Sequence, residues 1–282
     1  MEELTNLIKE PCKRRTFVGV LHYGNYAQLK TLLTSIEGQI GCSDLVICVL
    51  DHNEREDFES HWENTVHNPK NPGYASGMNF LIQQAISGKY DFFLGMNSDL
   101  KLNNYCISEL VNALDTTQNT VLQSILTGPD DKVKQASNVL LPHFHCSFSP
   151  ERHRALELMD SGVHPTDFVC GALFGVDLAR FKRSPVLFDE DFFLYHEDID
   201  WSLRLKSMGH QIGVCSTSVA RHLEGGSSNA LGQLTLKSVL VRWNSLRLFL
   251  SKQSLGRSHF AMSVLWFWSR MLLVYGKQLL RV

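Results

Sequence analysis

The stretch from Phe188 to Leu205 reads FDEDFFLYHEDIDWSLRL. Six carboxylates fall between Asp189 and Asp200, interleaved with Phe192, Phe193 and Tyr195 and flanked by Phe188 and Trp201. A solvated surface has no need of so many large rings, and a core does not tolerate so many carboxylates. From Asp198 onward the spacing predicts a helix. Trp201, Leu205 and Met208 recur at four and three residues, as do Ile199 and Leu203. Asp200 stands one turn before Arg204, and Gly209 is a natural stop. Glu197 and Asp198 then sit at the helix N-terminus, where the macrodipole favours negative charge. Capping with hydrophobic anchoring is one complete account of these residues. A chemical site is the other.

Extended to Gly213, the segment resembles the acceptor-side signature of family 2 inverting glycosyltransferases of the GT-A fold. It is most similar to their bacterial rhamnosyltransferase-like branch, whose phrase is FDE-x-FF-x-Y-x-ED-x-D-x-x-x-R with a later glycine. The matching positions are Phe188, Asp189, Glu190, Phe192, Phe193, Tyr195, Glu197, Asp198, Asp200, Arg204 and Gly209. The resemblance implies that Asp198 is the catalytic base and that Tyr195 lies on the acceptor side. Glu197 is the competing carboxylate. Adjacent helical positions point about 100° apart, so the two cannot face one hydroxyl together. A helix N-terminus lowers the pKa of Asp198 while the neighbouring acids raise it. The expected balance lies below neutrality, with Asp198 ionised.

The chain has 282 residues, 44% hydrophobic and 20% charged, with a formal charge of −2. That suits one large globular domain with an appendage. No basic excess points to a nucleic-acid partner. The seven cysteines form no C-x-x-C pair, which fits reduced thiols better than disulfides or a zinc site. MEELTNLIKEPCKRR lacks an apolar signal-peptide core, and no apolar run reaches about 18 residues. The expectation is a cytoplasmic protein, either free or peripheral on the inner face of the cytoplasmic membrane.

Toward the N-terminus, Thr16 to Tyr23 is a strand-type run. A helical pattern through Leu29, Leu32, Leu33 and Ile36 follows, then the strand-type run Leu45 to Leu50 ending in Asp51. Strand, helix and strand at this spacing predict a βαβ unit and a mainly parallel α/β sheet. Ligands of such sheets bind at the carboxyl ends of strands, where His22, Tyr23 and Asp51 fall. The resemblance gives Tyr23 and Asp51 to the nucleotide; a turn residue is the other reading of Asp51 by position alone. NPKNPGYASGMN, Asn68 to Asn79, passes from a Pro- and Gly-rich loop into a helix, whose free amides suit a phosphate. It resembles the family's donor-side segment at Asn71, Gly73, Gly77 and Asn79. Tyr90 to Met96 is a third buried strand, ending in Asn97-Ser98-Asp99. A carboxylate there can hold a cation on a diphosphate. In the family this is a D-x-D-like motif, so Asn97 and Asp99 are assigned to the donor, and Asp99 to Mg2+ or Mn2+.

Further along, Ile107 to Leu114 predicts a helix, Val121 to Leu126 a strand and Val133 to Leu141 an edge hairpin. His143-x-His145 has the spacing of metal ligands but no third ligand follows, so this histidine-rich stretch, with His153 and His164, reads as a variable loop near the acceptor. Asp167 to Val176 predicts a strand in which Gly171 and Ala172 let the acceptor approach the backbone. Cys170, Gly171 and Ala172 match a family C-G-A phrase. Gln211 to Cys215 predicts a short strand. His222, before Leu223-Glu224-Gly225-Gly226-Ser227-Ser228, resembles a family histidine near the metal; a surface-loop histidine is the other reading. Arg242-Trp243-Asn244-x-x-Arg247 opens a helical region, and the aromatic, cationic stretch from His259 to Val282 suits a membrane interface, core packing or a homodimer contact.

Together these readings give a GT-A domain over residues 1–228 and a C-terminal helical extension over 229–282. By resemblance the chain is an inverting hexosyltransferase acting on a glycan or lipid-linked oligosaccharide acceptor, as in O-antigen synthesis. The favoured donor is dTDP-L-rhamnose, with a UDP-hexose next. A nucleotidyltransferase would need a Gly-rich loop after the first strand, which His22-Tyr23-Gly24-Asn25-Tyr26 is not. A non-catalytic scaffold of a polysaccharide assembly complex is the remaining alternative.

Overall fold

Thr16–His22 and Leu45–Asp51 form parallel strands β1 and β2, in register from Thr16 opposite Leu45 to His22 opposite Asp51. Helix α1, Tyr26–Glu37, connects them, started by Asn25, whose side chain accepts from the Ala27 amide. The computed structural model describes residues 14–42, 44–54, 64–141, 146–152, 154, 159–223, 235–253 and 257–279. The chain continues through β3 (Thr65–His67), α2 (Tyr74–Ser87), β4 (Phe92–Asn97), β5 (Leu100–Leu102), α3 (Cys106–Thr116) and β6 (Val121–Thr127). Then come β7 (Val133–Gln135), β8 (Val139–Leu141), β9 (Cys146–Phe148), β10 (Val163–Pro165), β11 (Leu173–Asp177), α4 (Leu178–Phe181), α5 (Glu197–Ser207) and β12 (Ile212–His222). Two helices close it, α6 (Leu236–Lys252) and α7 (Arg257–Leu279).

The main sheet runs β10-β12-β6-β11-β4-β1-β2-β3, with β5 beside β12 and β7 beside β6. Strands β3, β2, β1 and β4 are mutually parallel, as are β6 and β12; β11 is antiparallel to both its neighbours. Alternate residues of β1 enter different cores, Phe17 and Leu21 on the side of α2, Val18 and Val20 on the side of α1 and α3. Burial on both faces explains why these strands read as unbroken apolar runs. Trp201 of α5 is fully buried, stacks on Phe188 at 4.2 Å and donates its indole N–H to Val186 O at 2.5 Å. Truncating such a ring costs about 3–5 kcal/mol, so the acidic segment is anchored through the core.

Four expected elements take a different form. The strand expected over Asp167 to Val176 begins only at Leu173. Before it, the Val169, Cys170 and Gly171 amides donate to Ser202 Oγ, Gln123 Oε1 and Asp198 Oδ2, which removes them from any ladder. The hairpin expected over Val133 to Leu141 is divided. β7 pairs with β6 and β8 with β9, because buried Asn138 between them donates from its amide to Gln123 Oε1 and Phe168 O. The short strand expected at Gln211 to Cys215 continues to His222 through a register shift between Cys215 and Val219. The C-terminal helical region begins before Arg242, at Leu236, capped by Thr235, whose hydroxyl accepts from the Ser238 amide. His143, His145 and His153, the loop from Glu224 through Gly225, Gly226, Ser227 and Ser228, and Arg281 lie outside the described residues. Among the described residues no helix is long and apolar enough to cross a membrane.

Candidate active site

A cavity of about 400 Å3 opens at the carboxyl ends of β1 and β4. Of the expected site residues it gathers Tyr23, Asn71, Gly73, Asn97, Asp99, Tyr195 and His222. They come from the ends of β1, β4 and β12, the entry to α2 and the entry to α5. Asp51, Gly77, Asn79, Gly171, Ala172, Glu197 and Asp198 are not among its lining residues.

The floor is polar and buried. Asp99 is 2% exposed, and its Oδ2 lies 3.3 Å from His222 Nε2. Antiparallel pairing of β5 with β12 sets Leu100 opposite His222 and so brings the imidazole to the carboxylate. Asp99 Oδ1 is buried with no hydrogen-bond partner. An orphaned buried carboxylate oxygen is costly unless something else meets it. Behind it, His22 Nδ1 is 2.8 Å from Ser98 Oγ, and burial pushes the His22 pKa down to about 4 against the pull of Asp51 and Asp99. His22 is therefore neutral, and its remaining Nε2 is also unpartnered.

A hard carboxylate oxygen beside an imidazole, with Asn97 at the same cavity wall, is a donor set that fits a divalent cation. Among the described residues no group of three or more His, Cys, Asp or Glu could hold a metal by itself. Asn97 is neutral, so Asp99 is the single charge that the Asn97-Ser98-Asp99 segment brings to the cavity.

The loop from Asn71 to Gly73 departs from expectation. The Tyr74 amide, which starts α2, donates to Phe193 O at 2.8 Å, and the Gly73 amide to Asn71 Oδ1 at 3.3 Å. These amides are taken up by protein rather than offered to a phosphate. Gly73, at φ 101°, passes so close to Phe193 that a Cβ would lie 2.5 Å from its carbonyl oxygen. Gly77 packs α2 onto Leu21 and His52. Asn79 is engaged within the protein: its Oδ1 accepts from the Phe188 amide at 2.8 Å, and its Nδ2 donates to Phe188 O at 2.9 Å and Glu190 Oε1 at 2.8 Å. Asp51 is likewise engaged, Oδ2 by the Tyr26 hydroxyl at 2.8 Å and Oδ1 by the Asn53 amide at 3.0 Å.

Most of the acidic segment serves the fold. Asp189 and Asp191 meet Lys252 of α6 at 2.5 and 2.8 Å, Glu190 meets Ser76 and Asn79, and Asp200 meets Arg204 Nε at 2.7 Å. Two carboxylates remain at the start of α5. Asp198 takes the Ile199 amide on Oδ1 at 2.9 Å and the Gly171 amide on Oδ2 at 3.3 Å. Gly171 O in turn accepts from the hydroxyl of Tyr74, which lines the cavity. Ala172 O accepts from the Asn97 amide at 2.9 Å. Gly171 and Ala172 thus brace Tyr74 and Asn97 from behind; the close approach that needs Gly171 is to the Tyr74 ring.

Burial raises the pKa of Asp198, and the Gly171 and Ile199 amides hold the rise back. Glu197, 5% exposed with Oε2 unpartnered, is pushed well above the carboxylate range by burial and then by Asp198. Desolvation thus raises both groups, a contribution absent from the sequence-based expectation, which weighs only the helix N-terminus and the neighbouring acids. Tyr195 and His196, immediately before them, both have left-handed backbones, φ 72° and 68°. Each such residue costs about 1–3 kcal/mol. The segment is held from both sides. Arg242 donates to Tyr195 Oη at 2.9 Å and Ser245 to Leu194 O at 2.6 Å from α6, while α2 holds Phe193.

Sequence reasoning did not reach Leu21, His52, Tyr74, Phe193, Leu194, Lys237 and Val241, which complete the lining. Tyr74 and Phe193 lie inside the quoted motifs; Lys237 and Val241 arrive only because α6 folds back over the acidic segment.

No protein-family model matches the chain, and no curated protein sequence matches it. Solved structures do. GalNAc-T7, solved with UDP, GalNAc and Mn2+, is similar with a TM-score of 0.58 at 11% identity, over 83% of this chain and 48% of that one. S. aureus TarS is similar with a TM-score of 0.53 at 15% identity, over 88% and 50%. TarS 1–349 with UDP gives 0.50 at 16%, over 73% and 60%. The chain has the GT-A glycosyltransferase fold. It spans about half the length of the GalNAc-T7 and TarS chains and 60% of TarS 1–349.

Proposed function

We propose that this chain is an inverting glycosyltransferase that moves one sugar from a nucleotide-diphosphate donor to a hydroxyl of a growing glycan. The observation that carries the reading is Asp99, buried at the cavity floor beside His222 with one oxygen unpartnered. Asp99 and His222 would hold Mg2+ or Mn2+, which supplies charge neutralisation for the departing diphosphate. Tyr23 and the Asp51-Tyr26-Asn53 cluster form the edge proposed for the nucleotide base. Asn71, Gly73 and Asn97 shape the wall along the donor; Gly77 and Asn79 support it by fixing α2 and the acidic segment.

Asp198 is the proposed base. Each of its oxygens accepts one amide, and an ionised carboxylate has about four acceptor sites, so lone pairs remain for an acceptor hydroxyl. Its raised pKa makes it a stronger base once deprotonated. Removing the hydroxyl proton as the oxygen attacks opposite the diphosphate gives inversion. Glu197, held back by burial, positions this end of α5. Tyr195, with Gly171 and Ala172 behind Tyr74 and Asn97, is proposed for the acceptor side.

The resemblance favours dTDP-L-rhamnose as donor. The UDP in the GalNAc-T7 and TarS structures supports a nucleoside diphosphate in the cavity and keeps a UDP-hexose beside it. A lipid-linked acceptor would place the enzyme peripherally on the cytoplasmic face of a membrane. The deciding experiment is a thermal-shift panel of dTDP- and UDP-sugars with and without Mn2+, followed by a transfer assay on the best binder. A metal-dependent rise in melting temperature with one donor class supports the reading. No shift with any nucleotide sugar removes it and favours the scaffold.

A further inference from the structure

The C-terminal hairpin of α6 and α7 carries a charge opposite to that of the rest of the chain. The 58 residues from Gly225 to Val282 contain eight Lys and Arg and no Asp or Glu, a net of +8. The 224 residues before them carry −10. The hairpin's inner face is committed to the domain. Leu246, Phe249, Leu250 and Phe267 pack with Phe168, Phe192 and Ile199, and Arg242 and Lys252 reach Tyr195, Asp189 and Asp191.

Its outer face is apolar and uncovered. Leu265, Trp268 and Leu272 of α7 are 71%, 43% and 70% exposed. Their spacing of three and four puts them on one stripe. The stripe continues onto α6. The Trp243 ring centroid lies 5.4 Å from those of both Phe267 and Trp268; Leu240, 47% exposed, is one turn before it and Arg247 lies over its ring. Indole rings and leucines presented by a helix pair with a cationic excess are the pattern of an interfacial anchor.

We propose that this outer face docks on an anionic lipid surface, with Leu265, Trp268 and Leu272 entering the headgroup boundary. Charge selects this occupant. A second copy of the chain packed face to face would set one cationic hairpin against another, which is repulsive. A bilayer bearing anionic headgroups attracts the same charges, while the net-negative domain stays away from it. Lys237 and Val241 of α6 also line the cavity. Docking therefore brings the cavity close to the headgroup plane, where a lipid-linked acceptor presents its sugar. That last step rests on the proposed function; docking itself does not.

The test uses the full chain, without donor or acceptor, and sedimentation with phosphatidylcholine vesicles lacking or containing phosphatidylglycerol. Binding is expected only to the anionic vesicles and should weaken as salt rises from about 0.05 to 0.5 M, where screening is strong. Leu265→Gln with Leu272→Gln alters two exposed side chains outside the packed core, and should lower partitioning at least about tenfold with the melting temperature retained. An intact protein that stays in the supernatant overturns the proposal, as does a double variant that binds normally. Loss of a stable dimer in the double variant, without vesicle binding by the intact protein, assigns the face to a second copy instead. None of these results alters the donor-binding test above.

Discussion

Asp99 Oδ2 stands 3.3 Å from His222 Nε2, and the other oxygen of the same carboxylate has no hydrogen-bond partner. The pair is assembled by a strand pairing, β5 against β12, rather than by any local sequence spacing. A buried carboxylate left half satisfied is unfavourable for folding, and its retention is understandable where a cation completes it on donor binding.

Asp99→Asn removes the charge and keeps the shape. Turnover is expected to fall about 10²–10³-fold, the scale of losing one group that stabilises a leaving oxyanion. The melting temperature should hold, because the amide keeps the size of the carboxylate and can still accept from His222 Nε2. Full activity of the wild type in excess EDTA would show that Asp99 serves without a metal.

Asp198→Asn is expected to lower turnover about 10²–10⁴-fold with donor affinity little changed. The amide still accepts from Gly171 or Ile199 through one oxygen, so the fold should survive. Because burial raises the Asp198 pKa, the acid limb of the rate profile should lie above the ordinary carboxylate range. Anomeric configuration of the product, read by NMR, checks the mechanism independently: a retained centre excludes single displacement by this base.

Glu197 makes a stability prediction with a definite sign. Its folded pKa is above its unfolded one, so the folded state binds the proton more tightly. The stabilising contribution is complete below the unfolded value, about 4.3, and is lost as pH rises through the folded value. Glu197→Gln, permanently neutral, should therefore gain melting temperature relative to wild type as pH increases. A constant difference from pH 5 to 9 would mean that Glu197 does not titrate differently on folding.

Asn79→Ala tests the clamp between α2 and the acidic segment. It removes three hydrogen bonds and leaves the buried Phe188 amide without an acceptor. A loss of about 1–3 kcal/mol in urea unfolding is expected. Donor affinity should change less than the stability does; a variant of native stability that fails to bind nucleotide sugar would restore Asn79 to the donor site.

The elements that local pattern encodes were legible. The apolar runs that became β1, β2, β4 and β6, the periodicity of α1, α3 and α5, and the stop at Gly209 (φ 85°) depend on near neighbours and read directly. So did the placement of Tyr23, Asn97 and Asp99 at strand ends, since a parallel sheet puts them on one edge. The carboxylates of the quoted stretch were legible as a group but not in their roles. Whether an acid anchors the fold or faces a substrate depends on what lies across from it: Lys252, Ser76, Asn79 and Arg204 are brought there by other elements. The amides of Val169 to Gly171 left the expected strand because Ser202, Gln123 and Asp198 bind them from elsewhere in the chain. Composition and spacing fixed the elements and the site's edge of the sheet. Only the tertiary structure decided that His222 is set against Asp99, that Lys237 of α6 joins the cavity lining, and that burial raises the pKa values of Glu197 and Asp198. Those outcomes are long-range, set by packing and desolvation rather than by near neighbours in the chain.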